Sequence, residues 1–201
     1  KMDSNENFQP NVIFIVVDDL GYSDLGYTGS QLYETPNIDK LATSGISFEK
    51  GYATCAVCSP SRASLLTGKL PARHGITNFI GAPSGEDYRK KRRFNKLLPA
   101  SYNRYLDHKD TTLAESFKQH GYKTFFAGKW HLGGKDQNSL PTNHGFEVNQ
   151  GGYHRGGPYS GGYFSPFNNP YLIDYPSEKG MSLSMKLANE TIKFIKTNKD
   201  S

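Results

Sequence analysis

Five consecutive residues, Cys58-Ser59-Pro60-Ser61-Arg62, concentrate the chemistry of this chain. Pro60 suits the first turn of a helix, where a missing N–H costs nothing. A helix over 59–67, closed by Gly68, places Cys58 at the positive end of its dipole among free N–H groups. Arg62 lies four residues on and returns to the same face. A cysteine so placed sits in an anion-binding setting, and as a plain thiol it would be a reactive one. A buried structural cysteine is the plainer alternative. Cys55 completes a C-x-x-C with Cys58, a spacing that suits a redox pair or half of a zinc site, but no second such pair exists among only two cysteines.

Asp18 and Asp19 follow directly on the apolar run 11–17. Adjacent carboxylates there are costly unless something pairs with them. Their hard oxygens suit Ca²⁺ or Mg²⁺, with helix capping or plain solvation as the alternative. Ca²⁺ takes roughly six to eight oxygens, so two carboxylates leave its shell incomplete. In Gly128-Lys129-Trp130-His131-Leu132-Gly133, the lysine and histidine stand two apart. If strand geometry persists, an ammonium and an imidazole face one crevice, ready to hold an oxyanion and move a proton. A surface lysine and a packed histidine are the alternative. Residues 151–163 hold six glycines and three tyrosines, with Tyr153, His154 and Arg155 together. Such a loop either packs on the surface or meets substrate, where tyrosine faces stack on sugar rings. His74, His108, His120 and His144 have no comparable context and read as structural or exposed.

The elements that must position these groups follow an α/β order. The continuous apolar run 11–17 reads as a strand buried on both faces, and ligands gather beyond the C-terminal ends of such strands. Thr35 and Pro36 open a helix that Gly45 stops, and 46–52 reads as a strand. Thr112 and Glu115 form a capping box for a helix ending at Gly121, and 122–127 is the next strand. Met181, Met185, Ala188, Ile192 and Ile195 keep helical spacing, so about 181–197 is an amphipathic helix. We divide the chain into a polar tail, 1–10, and one domain, 11–201. Within it, 81–110 is a polar, basic loop and 145–175 a Gly/Tyr-rich, substrate-side loop. The chain stops just after a helix, where an alternating fold would continue with a strand.

The 201 residues suit one domain, and 35% hydrophobic residues with 21 glycines are ordinary for a globular one. No apolar run approaches the ~18 residues of a membrane helix, so no membrane span is expected. The tail lacks the apolar core of a signal peptide, so either the protein is cytoplasmic or a signal has been removed. A net charge of +5 favours anionic partners mildly. The basic run 89–93 reads as a solvated loop, and without a helix-turn-helix or zinc-finger pattern we expect no nucleic-acid partner.

Taken in order, Asp18-Asp19, Thr35-Pro36-Asn37-Ile38-Asp39, Cys58-x-Pro60-x-Arg62, Leu65-Leu66-Thr67-Gly68 and Gly128-Lys-Trp-His-Leu-Gly133 resemble the type I sulfatases of the alkaline-phosphatase-like superfamily. The resemblance runs from about residue 11 to 144 and more loosely to the end. It implies a sandwich with a largely parallel central sheet flanked by helices, here apparently truncated to its N-terminal portion. It implies oxidation of Cys58 to formylglycine by a formylglycine-generating enzyme. The hydrated aldehyde then attacks sulfate sulfur with one hydroxyl and expels sulfate with the other, a covalent route. By the same resemblance Asp18, Asp19 and Cys58 ligate a cation, Ca²⁺ or alternatively Mg²⁺. Arg62 steadies the nucleophile, Lys129 holds a sulfate oxygen, and His131 takes the proton of the formylglycine hydroxyl.

The family also needs a second Asp-Asn or Asp-His pair, a later lysine and a later histidine, and no Asp-Asn-Gly segment occurs here. The expected substrate is a sulfate ester, with Tyr153, His154 and Arg155 favouring a sulfated carbohydrate. A periplasmic or extracellular location follows by resemblance. Two other readings remain open: a phosphodiesterase or phosphonate hydrolase of the same superfamily, and a non-catalytic glycan-binding homologue with Cys58 unmodified.

Overall fold

A computed structural model describes residues 9–91, 95–160, 162–172 and 178–199. Most of the polar tail, Arg92 and Arg93 of the basic run, and Gly161 and 173–175 of the Gly/Tyr-rich stretch lie outside the described residues. The chain forms two compact units, Lys1–Tyr52 and Ala53–Ser201.

The first unit holds helix α1, Pro36–Ser44. Thr35 occupies its N-cap position but makes no capping bond. Instead the Thr35 hydroxyl donates to Asp39 Oδ1 at 2.8 Å and accepts from the Gly26 N–H at 2.8 Å. Asp39 also accepts from the Tyr27 N–H at 3.0 Å, so the pair fastens the 3₁₀ turn Gly26–Thr28 to the helix. The expected strand at 11–17 is not formed: the run joins no ladder, and Ile15 is 71% exposed. The expected strand at 46–52 is likewise absent, with Phe48 exposed. A strand needs neighbours to take its N–H and C=O groups, and local β-propensity supplies none. Ladder pairing among the described residues is confined to one short sheet and one bridge, Phe164–Ser182.

The second unit begins with helix α2, Cys58–Thr67, followed by α3, Pro71–His74. Gly68 closes α2 at φ 67, and its N–H returns to the Ser64 carbonyl at 2.8 Å. That left-handed turn is cheap for glycine and strained for other residues. The stretch expected as a polar loop, 81–110, is a loop only in part. It carries a short helix, α4, Glu86–Lys90, and buries Leu106 and Asp110. Asp110 is buried because Lys69 pairs with it.

Helix α5, Leu113–Gln119, has the expected capping box. Strand β1, Phe125–Ala127, is shorter than expected and pairs in parallel with β2, Val148–Gln150, Phe125 opposite Val148. We did not anticipate β2: it occupies the start of the stretch read as a substrate-side loop. Helix α6, Leu183–Asn198, is capped by the Ser182 hydroxyl and lies on β1, with Phe194 stacked on Phe125 at 4.7 Å between ring centroids. The core gathers Ala63, Leu66, Ile76, Leu106, Trp130 and Leu132. Trp130 anchors it, edge-on to Phe126 and with its indole N–H donating to the Ser139 carbonyl at 2.8 Å. A buried tryptophan with its N–H satisfied holds the chain on either side of it, Lys129 and His131, in place.

Candidate active site

Cys58 opens α2 as its first residue, one position earlier than expected, with Val57 as N-cap. His131 meets it: His131 Nδ1 lies 3.3 Å from Cys58 Sγ. The other ring nitrogen, Nε2, lies 2.8 Å from the Ile80 carbonyl oxygen. A carbonyl only accepts, so Nε2 carries a hydrogen, and Nδ1, the nitrogen that is basic in a neutral imidazole, is the one that faces Cys58. The pairing of a nucleophile with a base that a third group orients is the general design of nucleophilic catalysis.

The expectation that strand geometry runs through Lys129 and His131 is overturned. β1 ends at Ala127, and His131 adopts φ 58. The chain turns at this point, and that turn swings the imidazole onto Cys58. Lys129 lines a pocket with Gly128, Gly151, Tyr153, Arg155 and Asn169. Arg62 Nη1 donates to the Lys129 carbonyl at 2.6 Å, so the arginine ties α2 to the chain beyond β1.

Of the three candidate substrate contacts, Tyr153 is buried and His154 and Arg155 are exposed. The Tyr153 carbonyl accepts from the His131 N–H at 3.0 Å, and its ring meets His154 edge-on and Arg155 from 5.9 Å. Tyr159 and Tyr163 are the loop's exposed aromatic faces. Gly156 packs against the His131 ring, and a Cβ added there would meet its Cε1 at 2.8 Å.

Asp18 and Asp19 form a turn of the first unit, Asp19 at φ 57. Their carboxylate oxygens are the donors that Ca²⁺ and Mg²⁺ prefer, so the donor chemistry fits, as part of a shell. Among the described residues no group of three or more His, Cys, Asp and Glu could hold a metal ion.

The remaining histidines are structural or exposed, as expected. His74 is buried and bonded to Ser64 Oγ at 3.1 Å. Burial holds its pKa below the usual value, against the pull of Asp110. His144 is buried against Trp130 and stacked on His108 at 4.7 Å. Burial, assisted by His108, lowers its pKa to about 4. Contributors to the site that the sequence alone did not indicate are Ser59, Gly156 and the carbonyls of Ile80 and Lys129. Ser59 lies inside the Cys58–Arg62 motif, and that position was the available signal. A backbone carbonyl leaves none.

The sulfatase family model matches residues 10–201. The chain belongs to the sulfatase family. It is 44% identical over 138 residues to arylsulfatase A of Bos taurus, covering 68% of this chain and 24% of that protein. N-acetylgalactosamine-6-sulfatase of Mus musculus is 37% identical over 140 residues, covering 69% and 24%. The chain thus spans about a quarter of the length of these relatives. The crystal structure of Ps i-CgsB matches with TM-score 0.69 and 28% identity over 94% of this chain and 42% of that one. Its complex with k-i-k-neocarrahexaose matches with TM-score 0.67 and 25% identity over 92% and 40%. The fold is therefore that of the sulfatases: α/β, with a parallel sheet and flanking helices.

Proposed function

We propose that the whole protein hydrolyses sulfate esters, with Cys58, converted to formylglycine, as its nucleophile. The observation that carries this is His131 Nδ1 at 3.3 Å from Cys58 Sγ, in a chain of the sulfatase family. Formylglycine would supply a hydrated aldehyde with two hydroxyls: one attacks sulfur as the ester S–O bond breaks and the alcohol leaves, and the other loses its proton to restore the aldehyde as the C–O bond to sulfate breaks. His131 Nδ1 takes a proton from the group at position 58. Lys129 holds a sulfate oxygen, and Arg62, through the Lys129 carbonyl, fixes the chain that presents both. Asp18 and Asp19 would supply oxygens to a Ca²⁺ or Mg²⁺ ion, and the family resemblance adds Cys58 to that shell; such an ion would supply charge that polarises a sulfate ester and lowers the pKa of the nucleophile. The maturation partner is a formylglycine-generating enzyme, and the location is periplasmic or extracellular.

The substrate is a sulfated carbohydrate. Arg155 and Lys129 line one pocket, and Tyr159 and Tyr163 offer faces for sugar rings. Tyr153 lines the same pocket, its carbonyl holds the His131 N–H, and its ring meets His154, the third candidate contact. Tryptic mass measurement of the Cys58 peptide from the native host tests the nucleophile: an aldehyde or its hydrate is expected, and a free thiol overturns it. Turnover of the full-length protein on sulfated sugars, aryl sulfates and matched phosphate esters tests the rest. Turnover of aryl sulfates with none of sulfated sugars refutes the carbohydrate. A preference for phosphate esters refutes the sulfatase reading.

A further inference from the structure

We infer that Ser59 is a positioning residue that holds His131 against Cys58. His131 sits at φ 58, a backbone conformation that a non-glycine residue keeps only where its surroundings impose it. The imposing groups form a closed cycle. The Ser59 hydroxyl donates to the His131 carbonyl at 2.9 Å. His131 Nε2–H donates to the Ile80 carbonyl at 2.8 Å. The Ile80 N–H donates back to Ser59 Oγ at 3.0 Å. Ser59 is fully buried, so water does not substitute for either bond. Because Ser59 is the residue after Cys58, the cycle references the imidazole to the helix that carries the nucleophile. One hydroxyl serves as donor and acceptor at once, so a side chain without it breaks both links and takes this partner from the Ile80 N–H and the His131 carbonyl.

The inference rests on the reading that His131 serves the group at position 58, but its test does not need formylglycine. In full-length protein carrying Cys55→Ser, made in a host that leaves Cys58 a thiol, iodoacetamide reports how His131 activates Cys58 at fixed pH. His131→Ala sets the floor. Ser59→Ala is expected to slow alkylation by about tenfold, toward that floor, and Ser59→Thr, which keeps the hydroxyl, to restore it. Imidazole ¹⁵N spectra give a second readout: a single tautomer with bare Nδ1 in the parent and in Ser59→Thr, and averaged tautomers in Ser59→Ala. Where Ser59→Ala does not fold, Ser59→Val, the hydroxyl-free match in shape to Ser59→Thr, replaces it with the same expectation. Parent-like alkylation with an unchanged tautomer in the variant without the hydroxyl overturns the inference, as does a parent-like rate in His131→Ala. A free thiol in native protein would refute the formylglycine reading and leave this result standing.

Discussion

At the scale of single residues, Gly156 sets the closest tolerance of the site. A methyl group there meets His131 Cε1 at 2.8 Å and Nδ1 at 3.0 Å, and the ring is already pinned by Ile80. Gly156→Ala should therefore push the imidazole off Cys58 rather than unfold the protein. We expect hydrolysis by the full-length enzyme to fall by about 10- to 100-fold, the effect of a displacement near ~1 Å at a reacting group. Thermal unfolding should move little, and steady-state rates beside a melting curve check both. Cys58, Arg62 and His131 were legible because a helix start, a one-turn spacing and a compact motif leave marks in sequence. Gly156, Ile80 and the carbonyl of Lys129 were not. Their contacts depend on where the chain turns after β1, at Gly128 and again at His131, and the second of these left-handed residues is a histidine rather than a glycine. The shared strand face assumed for Lys129 and His131 failed for the same reason.

At the scale of elements, caps and helix periodicity were read more surely than strands. The α5 capping box was visible at Thr112 and Glu115. The Thr112 hydroxyl also donates to the buried His144 carbonyl at 2.8 Å, which no local pattern reveals. Thr112→Ala should cost about 2 kcal/mol, a cap and a buried hydrogen bond together, measured by denaturant unfolding. Runs 11–17 and 46–52 have strand composition but join no ladder among the described residues, and ladders are made by distant segments. Helix α6 is a subtler case. Its spacing was legible, but the apolar stripe through Met185, Ile192 and Ile195 is exposed, and the helix docks through Lys186, Leu187, Glu190 and Phe194. Buried Lys186 is paired with Glu190 at 2.9 Å, so a charged pair faces inward in place of the expected stripe of Met185, Ile192 and Ile195. Phe194→Ala should cost about 2 kcal/mol and Ile192→Ala under about 0.5 kcal/mol. The reverse order would mean that the stripe is the packed face.

For the unit Ala53–Ser201 as a whole, the buried histidines make stability depend on pH. The Ser139 hydroxyl donates to the Leu132 carbonyl at 2.9 Å, so it accepts from His144 Nε2–H, also at 2.9 Å. His144 Nδ1 is then bare and buried, with no hydrogen-bond partner among the described residues. Protonating it places an unsolvated charge between Trp130 and His108. Its pKa falls from 6.5 to about 4, chiefly through burial, so between those values the unfolded chain binds the proton and the folded one does not. The unfolded state is then the one favoured by acid. Stability from this group is fully present above about pH 6.5 and is lost as pH falls toward about 4, amounting to ~3 kcal/mol across the window. His74, also lowered by burial, adds loss in the same direction. His144→Phe keeps the aromatic packing and removes the titration. It forfeits the Ser139 bond, so it should start less stable at neutral pH and decline less steeply into acid. Denaturant midpoints of both proteins from pH 7 to pH 4 decide the matter. Parallel slopes would mean that His144 is protonated in the fold and that the acid sensitivity lies with other groups.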